Sequence, residues 1–367
     1  MDQISKGGLI RLDSPRAWRT YTGGRRLDLL HGQKNGRVTQ FPEEWILSVV
    51  AARNAGREEF PEEGMSHLPE QGNRLLKELI AADPAAVLGE GHAAKYGSQT
   101  GVLVKLIDAA ERLTVQVHPD KETARRLFHS DYGKTECWHI LDDSPVNGVE
   151  PCIYIGFRPG ITRERWKTLF ERQDISGMLE FMHKIQVKKG DTVLIKGGVP
   201  HAIGEGCFLM EIQEPTDYTI RVERVTPAGL IIDDSMCHQG LGFEQMFDCF
   251  AYEGVTEEEA IQRWFVKAAV CEKQPGGRRR ILIGYQNTPL FRLDQIDVWK
   301  QIKMEDSPVF SGIYVLEGYG EGGANGCRQL MKPGDQFLVP AGMGTWTVEA
   351  EKGSRLKLMQ FMGPKVD

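Results

Sequence analysis

Residues 190–201 read GDTVLIKGGVPH, and residues 334–345 read GDQFLVPAGMGT. Both copies spell Gly-Asp, four mostly apolar residues, a turn with glycine at the ninth position, and the start of another strand. Glycine supplies the backbone freedom that tight turns need. Each copy therefore describes a strand leaving a Gly-Asp turn, a hairpin and a return strand. A repeat of this kind means one structural unit built twice. The copies differ at their last aligned position, where the first has His201 and the second Thr345. The first keeps a side chain able to hold a metal, and the second has lost it.

This pattern matches the second sequence motif of the cupins, small double-sheet jelly-roll barrels. The rest of the chain fits around it. TGVLVKLIDAAERLTVQVHPD (100–120) reads as two strands separated by a charged turn, and CIYIGFRPG (152–160) as another. GNRLLKELIAADPAAVLG (72–89) has helical spacing that ends near Asp83-Pro84. ITRERWKTLFERQDISGMLEFMHK (161–184) is helical, with Thr162 as its N-cap and Trp166, Leu169 and Phe170 on one face. GFEQMFDCFAYEGVTEEEAIQRWF (242–265) is helical again, and the chain from about 266 onward is short strands and turns. PGGRRR (275–280) reads as a solvated turn and strand start, not a binding motif. The expected fold is mainly β: two cupin-type jelly-roll barrels with helical insertions. Residues 1–100 form a mixed segment packing on the first barrel, and 101–240 the catalytic cupin with its insertion near 162–184. Residues 241–265 form a helical connection, and 266–367 a C-terminal cupin without metal.

Composition narrows the function. The 367 residues are 41% apolar and 26% charged, enough for a buried core over roughly two domains. A net charge of −6 argues against a broad nucleic-acid surface, yet a few local cations suffice for one small anion. No apolar run approaches the ~20 residues of a membrane span, and the N-terminal MDQISKGGLIRLDSPRAW lacks a signal-peptide core. Seven cysteines are scattered without CxxC pairs, which fits a reduced cytoplasm. Cys137 and Cys152 read as small buried hydrophobes.

The chemistry concentrates in LTVQVHPDKETARRLFHSDYGKTECWHI (113–140). Strand alternation turns Thr114, Gln116 and His118 away from Leu113, Val115 and Val117. In the second segment Lys134, Glu136 and Trp138 share a face. Gln116, His118, Glu136 and His201 thus form a candidate metal set, since imidazole nitrogen and carboxylate oxygen suit zinc and a catalytic site keeps one position open. Taken singly, His118 reads more readily as a strand cap before Pro119, and His201 as a hairpin residue, than either does as a ligand. Lys134 and Arg221 are cations beside this set. They are costly there unless an anion accompanies them, and a phosphorylated substrate is one. An ion pair of Arg221 with Asp217 or Glu223 on the rim is the alternative.

LTVQVHPDKETA, GKTECWHILDD, IYIGF and VPHAIGEGCFLMEIQEPTDYTIRV resemble the type I phosphomannose isomerases, particularly the shorter bacterial forms. The resemblance runs over roughly residues 98–225, with a weaker cupin-like match in the last hundred. It implies a zinc-dependent double cupin, one Zn2+ per chain, interconverting mannose 6-phosphate and fructose 6-phosphate. It further implies Gln116, His118, Glu136 and His201 as metal ligands and Lys134 and Arg221 as basic catalytic residues. Glu43 in PEEWILS corresponds to the family's Glu before its Trp, and with Asp217 it is assigned to substrate binding. The family's N-terminal WGG signature appears only loosely, as WRTYTGG, and its His after the Glu-x-Trp segment is missing.

The implied reaction moves a proton between C1 and C2 through an enediol. Lys134 is the candidate for proton transfer, and Arg221 stabilises the enediolate or holds phosphate. The expected partner is a small sugar phosphate, with no nucleic acid and no membrane; oligomeric state is not read from the sequence. Two other classes remain, a non-catalytic cupin sensing a sugar phosphate and an iron dioxygenase. An isomerase for a different sugar also fits the motifs.

Overall fold

The computed structural model describes residues 8–146, 148–324 and 326–366. Residues 1–7, which open the N-terminal stretch read above, lie outside the described residues.

The Gly-Asp turn and its following strand recur in three dimensions, but neither copy is a hairpin. Thr192–Ile195 and His201–Ile203, like Gln336–Val339 and Trp346–Ala350, lie in different sheets, so the chain crosses from one sheet to the other at each turn. Gly190 and Gly334 have φ of 97° and 87°, the left-handed region that favours glycine. The Gly190 N–H donates to Ile140 O and the Gly334 N–H to Val315 O, both at 2.9 Å. Asp191 Oδ2 accepts from Lys188 N, and Asp335 Oδ2 from Lys332 N, so each aspartate closes its own turn. The strands that follow, Thr192–Ile195 and Gln336–Val339, pair antiparallel with Glu136–Asp142 and Ser311–Glu317. In that register Glu136 lies opposite Ile195, and Ser311 lies opposite Val339. Ile195 and Val339 occupy the same place in the repeat, so Ser311 stands where the first unit has Glu136.

The fold is mainly β and of the double-cupin type, each unit made of two facing sheets. The first has six strands, from Thr192–Ile195 through Glu136–Asp142, Phe208–Gln213, Leu103–Asp108 and Glu43–Ile46 to Arg16–Ala17. It faces a five-stranded sheet in the order Met182–Gln186, Cys152–Phe157, His201–Ile203, Gln116–Val117, Ile220–Arg221. The second unit has a seven-stranded and a four-stranded sheet. The strand Ile10–Leu12 pairs with Gln336–Leu338 in the seven-stranded sheet, so the first hundred residues serve both units.

Strand alternation makes two kinds of core. On Glu136–Asp142, Trp138 and Ile140 point between the sheets of the first unit and pack with Ile107, Ile153 and Ile155. Cys137 and Leu141 point outward and join Met210, Leu282, Leu316 and Met359 in the seam where the two units meet. Both outer faces are apolar there, and their burial fastens one unit to the other.

Several helices differ from the sequence reading. Lys121–Phe128 is a helix capped by Asp120, between the two segments read as strands, where the sequence reading placed no element. The expected helix 161–184 is two helices and a strand. Thr162 caps Arg163–Arg172, Gln173 adopts φ 48°, Asp174 caps Ile175–Glu180, and Met182–Gln186 joins the five-stranded sheet. The 242–265 stretch is likewise interrupted, extended between Phe250 and the capping box of Glu257–Trp264. Competing cap residues set these breaks where the apolar spacing alone runs on.

Candidate metal centre and substrate cleft

Three neighbouring strands place three polar side chains in one row. Gln116 lies opposite His201 on one side and opposite Arg221 on the other. Glu136 approaches from the facing six-stranded sheet, and His118 from the end of the strand Gln116–Val117. Close backbone packing holds these segments together. A Cβ on Gly133 would lie 2.8 Å from Pro119 O, and one on Gly197 would lie 2.4 Å from Asp120 Cα. Only glycine at both positions lets GKTE and GGVPH close on the HPD turn.

His118 Nε2 and His201 Nε2 are 3.2 Å apart, and they lie 3.1 and 3.4 Å from the two oxygens of Glu136. All three side chains are fully buried. His118 Nδ1 donates to Tyr218 O at 2.8 Å, and His201 Nδ1 to Val199 O at 2.9 Å. Those bonds commit each Nδ1 proton and leave each Nε2 with a lone pair facing the carboxylate. Burial, reinforced by Lys134, pushes His118 down to about 3, and burial also lowers His201. Burial would raise Glu136, but Lys134 and the two histidines hold it well below the usual carboxylate range.

Two neutral imidazoles and one carboxylate are the protonation states metal ligands require. Lone pairs converging at this distance repel one another unless a cation lies among them, and Glu136 Oε1 is buried without a hydrogen-bond partner. The residues therefore fit a divalent metal, and they are the one cluster of this kind among the described residues. The Gln116 amide reaches to 3.3 Å from His201 Nε2, so its oxygen is available to the same position after a half-turn.

Lys134 Nζ sits 2.7 Å from His118 Nε2 and 2.8 Å from Glu136 Oε2. Arg221 forms no ion pair among the described residues; its Nη1 donates to Thr219 O and Met236 O. The two carboxylates considered as its rim partners are engaged elsewhere. Glu223 takes a bidentate pair from Arg112 at 2.6 and 2.8 Å. Asp217 takes one from Arg19 at 3.1 and 3.2 Å.

Arg19 and Lys105 were not singled out by sequence reasoning, and both line the cleft. Arg19 also pairs with Glu43 at 2.9 Å, and Glu43 accepts from Tyr21 Oη and Trp45 Nε1. Glu43 and Asp217, assigned above to substrate, thus grip Arg19 between them. Lys105 pairs with Glu211 at 3.1 Å, and Trp138 Nε1 donates to the same carboxylate at 2.9 Å. Burial and the neighbouring Glu136 push the Glu211 carboxyl up. Lys105 had a signal in the sequence, as the lone charge inside the apolar run VLVKLI. Arg19 had none, because its partner Asp217 is 198 residues away.

The model of the type I phosphomannose isomerase catalytic domain matches residues 62–136, which include Gln116, His118, Lys134 and Glu136. The chain is similar to the type I phosphomannose isomerases. It is 28% identical over 254 residues to the probable mannose-6-phosphate isomerase GmuF of Bacillus subtilis, covering 68% of this chain and 71% of that protein. To mannose-6-phosphate isomerase ManA of the same organism it is 27% identical over 269 residues, covering 71% and 77%. The fold is shared with the solved mannose 6-phosphate isomerase of B. subtilis at TM-score 0.73 and 21% identity, over 96% of this chain and 99% of that one. A putative mannosephosphate isomerase of Archaeoglobus fulgidus superposes at TM-score 0.71, over 98% of both chains. The cysteines are free, with Cys137 and Cys152 buried as expected. Among the described residues no helix is long and apolar enough to cross a membrane.

Proposed function

We propose that this chain is a metal-dependent aldose–ketose isomerase that interconverts mannose 6-phosphate and fructose 6-phosphate through an enediol. The observation that carries the reading is the convergence of His118, Glu136 and His201 on one point, with Lys134 and Arg221 facing the same cleft. Zinc, one per chain, is the metal best suited to two imidazoles and a carboxylate, with Gln116 assisting. When bound, the ion supplies Lewis-acid polarisation of the sugar oxygens at C1 and C2.

The protein's own groups do the rest. Lys134 Nζ moves the proton between C1 and C2, a role worth about 10²–10⁴-fold for a positioned group. Arg221 presents a fixed fork to the enediolate or the phosphate. Glu43 and Asp217 serve the substrate through Arg19, holding its guanidinium in the cleft beside Lys105. Burial of the cleft walls excludes water, which strengthens each of these charged contacts. Scattered free cysteines and a small charged substrate support a cytoplasmic enzyme. The test is metal content measured with a coupled assay on mannose 6-phosphate, in which zinc-loaded protein turns over the sugar and chelated protein does not. A panel of other aldose and ketose phosphates decides the sugar, and tight binding without turnover of any of them would identify a sensor.

A further inference from the structure

A second cavity, of about 600 Å³, lies at the seam between the two units, remote in character from the cleft. Its wall includes the opposite face of the strand that carries Glu136. Glu136 and Trp138 point into the first unit, whereas His139 and Leu141 line the seam. The facing wall is the seven-stranded sheet, and the helix Arg25–Leu30 borders the cavity with Arg26, Leu29 and Leu30.

The charges on the facing sheet follow its register. Arg278, Asp297 and Lys357 stand directly opposite one another across three strands, and Lys357 lies opposite Glu317 on a fourth. Arg278 pairs with Asp297 at 2.7 Å and Lys357 with Glu317, so this row of alternating signs is neutral within itself. The next row is not. Arg280 lies opposite Gln295, its nearest carboxylate contact is 3.9 Å away at Asp297, and its Nε is buried without a hydrogen-bond partner. Lys189 adds a further cation from the first unit, 3.8 Å from the Glu317 that Lys357 already occupies. His139 is buried beside them, its Nδ1 bonded to Thr192 Oγ1 at 3.0 Å and its Nε2 without a partner among the described residues. A surplus of positive charge in a chain of net charge −6, next to the apolar surfaces of Leu29 and Phe208, matches an anion with a carbon skeleton.

We propose that this seam cavity binds a small phosphate monoester, its phosphate on Arg280 and His139 and its carbon skeleton against Leu29 and Phe208. The PGGRRR turn, read from sequence as solvated, thereby supplies the anchor of a second ligand site. Because the walls belong to different units, an occupant ties them together and adds to stability by linkage. The site stands independently of the isomerase reading.

The test uses the metal-loaded protein, with glucose 6-phosphate and inorganic phosphate as probes. Crystals soaked with glucose 6-phosphate should show it at the seam on Arg280, whatever the cleft holds. In solution the seam site should bind glucose 6-phosphate at least about 10-fold more tightly than inorganic phosphate, reflecting the apolar wall. Arg280→Gln should weaken that binding by about 10-fold or more and abolish the seam density, leaving mannose 6-phosphate turnover without added ligand unchanged. His139→Gln should weaken it as well. Sugar phosphate found only in the catalytic cleft, or seam binding indifferent to Arg280→Gln, would overturn the proposal.

Discussion

Lys134 Nζ donates to His118 Nε2 at 2.7 Å, the same nitrogen whose lone pair faces Glu136 and His201. One lone pair serves one partner, so a metal on His118 and this contact exclude each other. A bound metal would therefore free the Lys134 ammonium from His118, and Lys134 lines the cleft together with Gln116 and Arg221. Replacing Lys134 by Met removes the competitor and the proposed proton-transfer group together. Lys134→Met should keep full metal stoichiometry while kcat falls by about 10²–10⁴-fold with a smaller change in KM. Loss of metal in that variant, or unchanged kcat, would contradict the role.

His201→Ala takes away one of two imidazoles in the cluster. Stoichiometric metal and activity should both disappear, and circular dichroism should remain that of a folded β protein. Wild-type protein should carry one firmly bound metal per chain by elemental analysis. In the second unit Ser311 and Thr345 stand at the places of Glu136 and His201. Two tightly held metals per chain, or full occupancy in His201→Ala, would refute the ligand assignment.

Arg19, Lys105, Lys134 and Arg221 all line the cleft, where the proposed reaction puts an anionic substrate. Charge-assisted contacts are worth roughly 1.5–3 kcal/mol each, so mannose 6-phosphate should exceed free mannose by at least about 10² in kcat/KM. Arg221→Lys should lower kcat/KM as well, since an ammonium does not reproduce the guanidinium fork. Equal turnover of the free sugar would end the case for an anionic substrate.

Glu43 links cleft electrostatics to acid stability. Burial alone would raise its carboxyl, but Arg19 and Lys105 hold it at about 2, against an ordinary value of 4.5. A carboxyl depressed by folding contributes stability that is fully present above its unfolded pKa. That contribution fades as pH falls from about 4.5 toward 2, and on the order of 3 kcal/mol is at stake. Asp217, also lowered despite its burial by Arg19, acts in the same direction. Urea denaturation between pH 7 and 3 should show stability falling more steeply in the wild type than in Glu43→Gln. Parallel pH profiles would show that Glu43 is not the source.

Local chemistry made much of this protein legible before any coordinates. The Gly190 and Gly334 turns, the cap at Thr162, and the alternation of Gln116, Val117 and His118 depend on residues within a few positions of one another. Helix Lys121–Phe128 shows the limit even at short range, since its charged sequence hides a single buried residue, Ala124, among polar neighbours.

By itself the sequence determined a duplicated Gly-Asp turn with its following strand, a metal-compatible set in the first copy and its loss in the second. Those are properties of residue type and short spacing, which the backbone converts directly into turns and alternating faces. Only the tertiary structure decided that Gln116, His201 and Arg221 form one row, because register across three strands is a pairing between distant segments. It alone decided that Glu43 and Asp217 grip Arg19, and that Arg278 and Arg280 line a seam cavity. An ion pair between residues 19 and 217 leaves no local trace, since the field of a charge depends on distance in space and not along the chain.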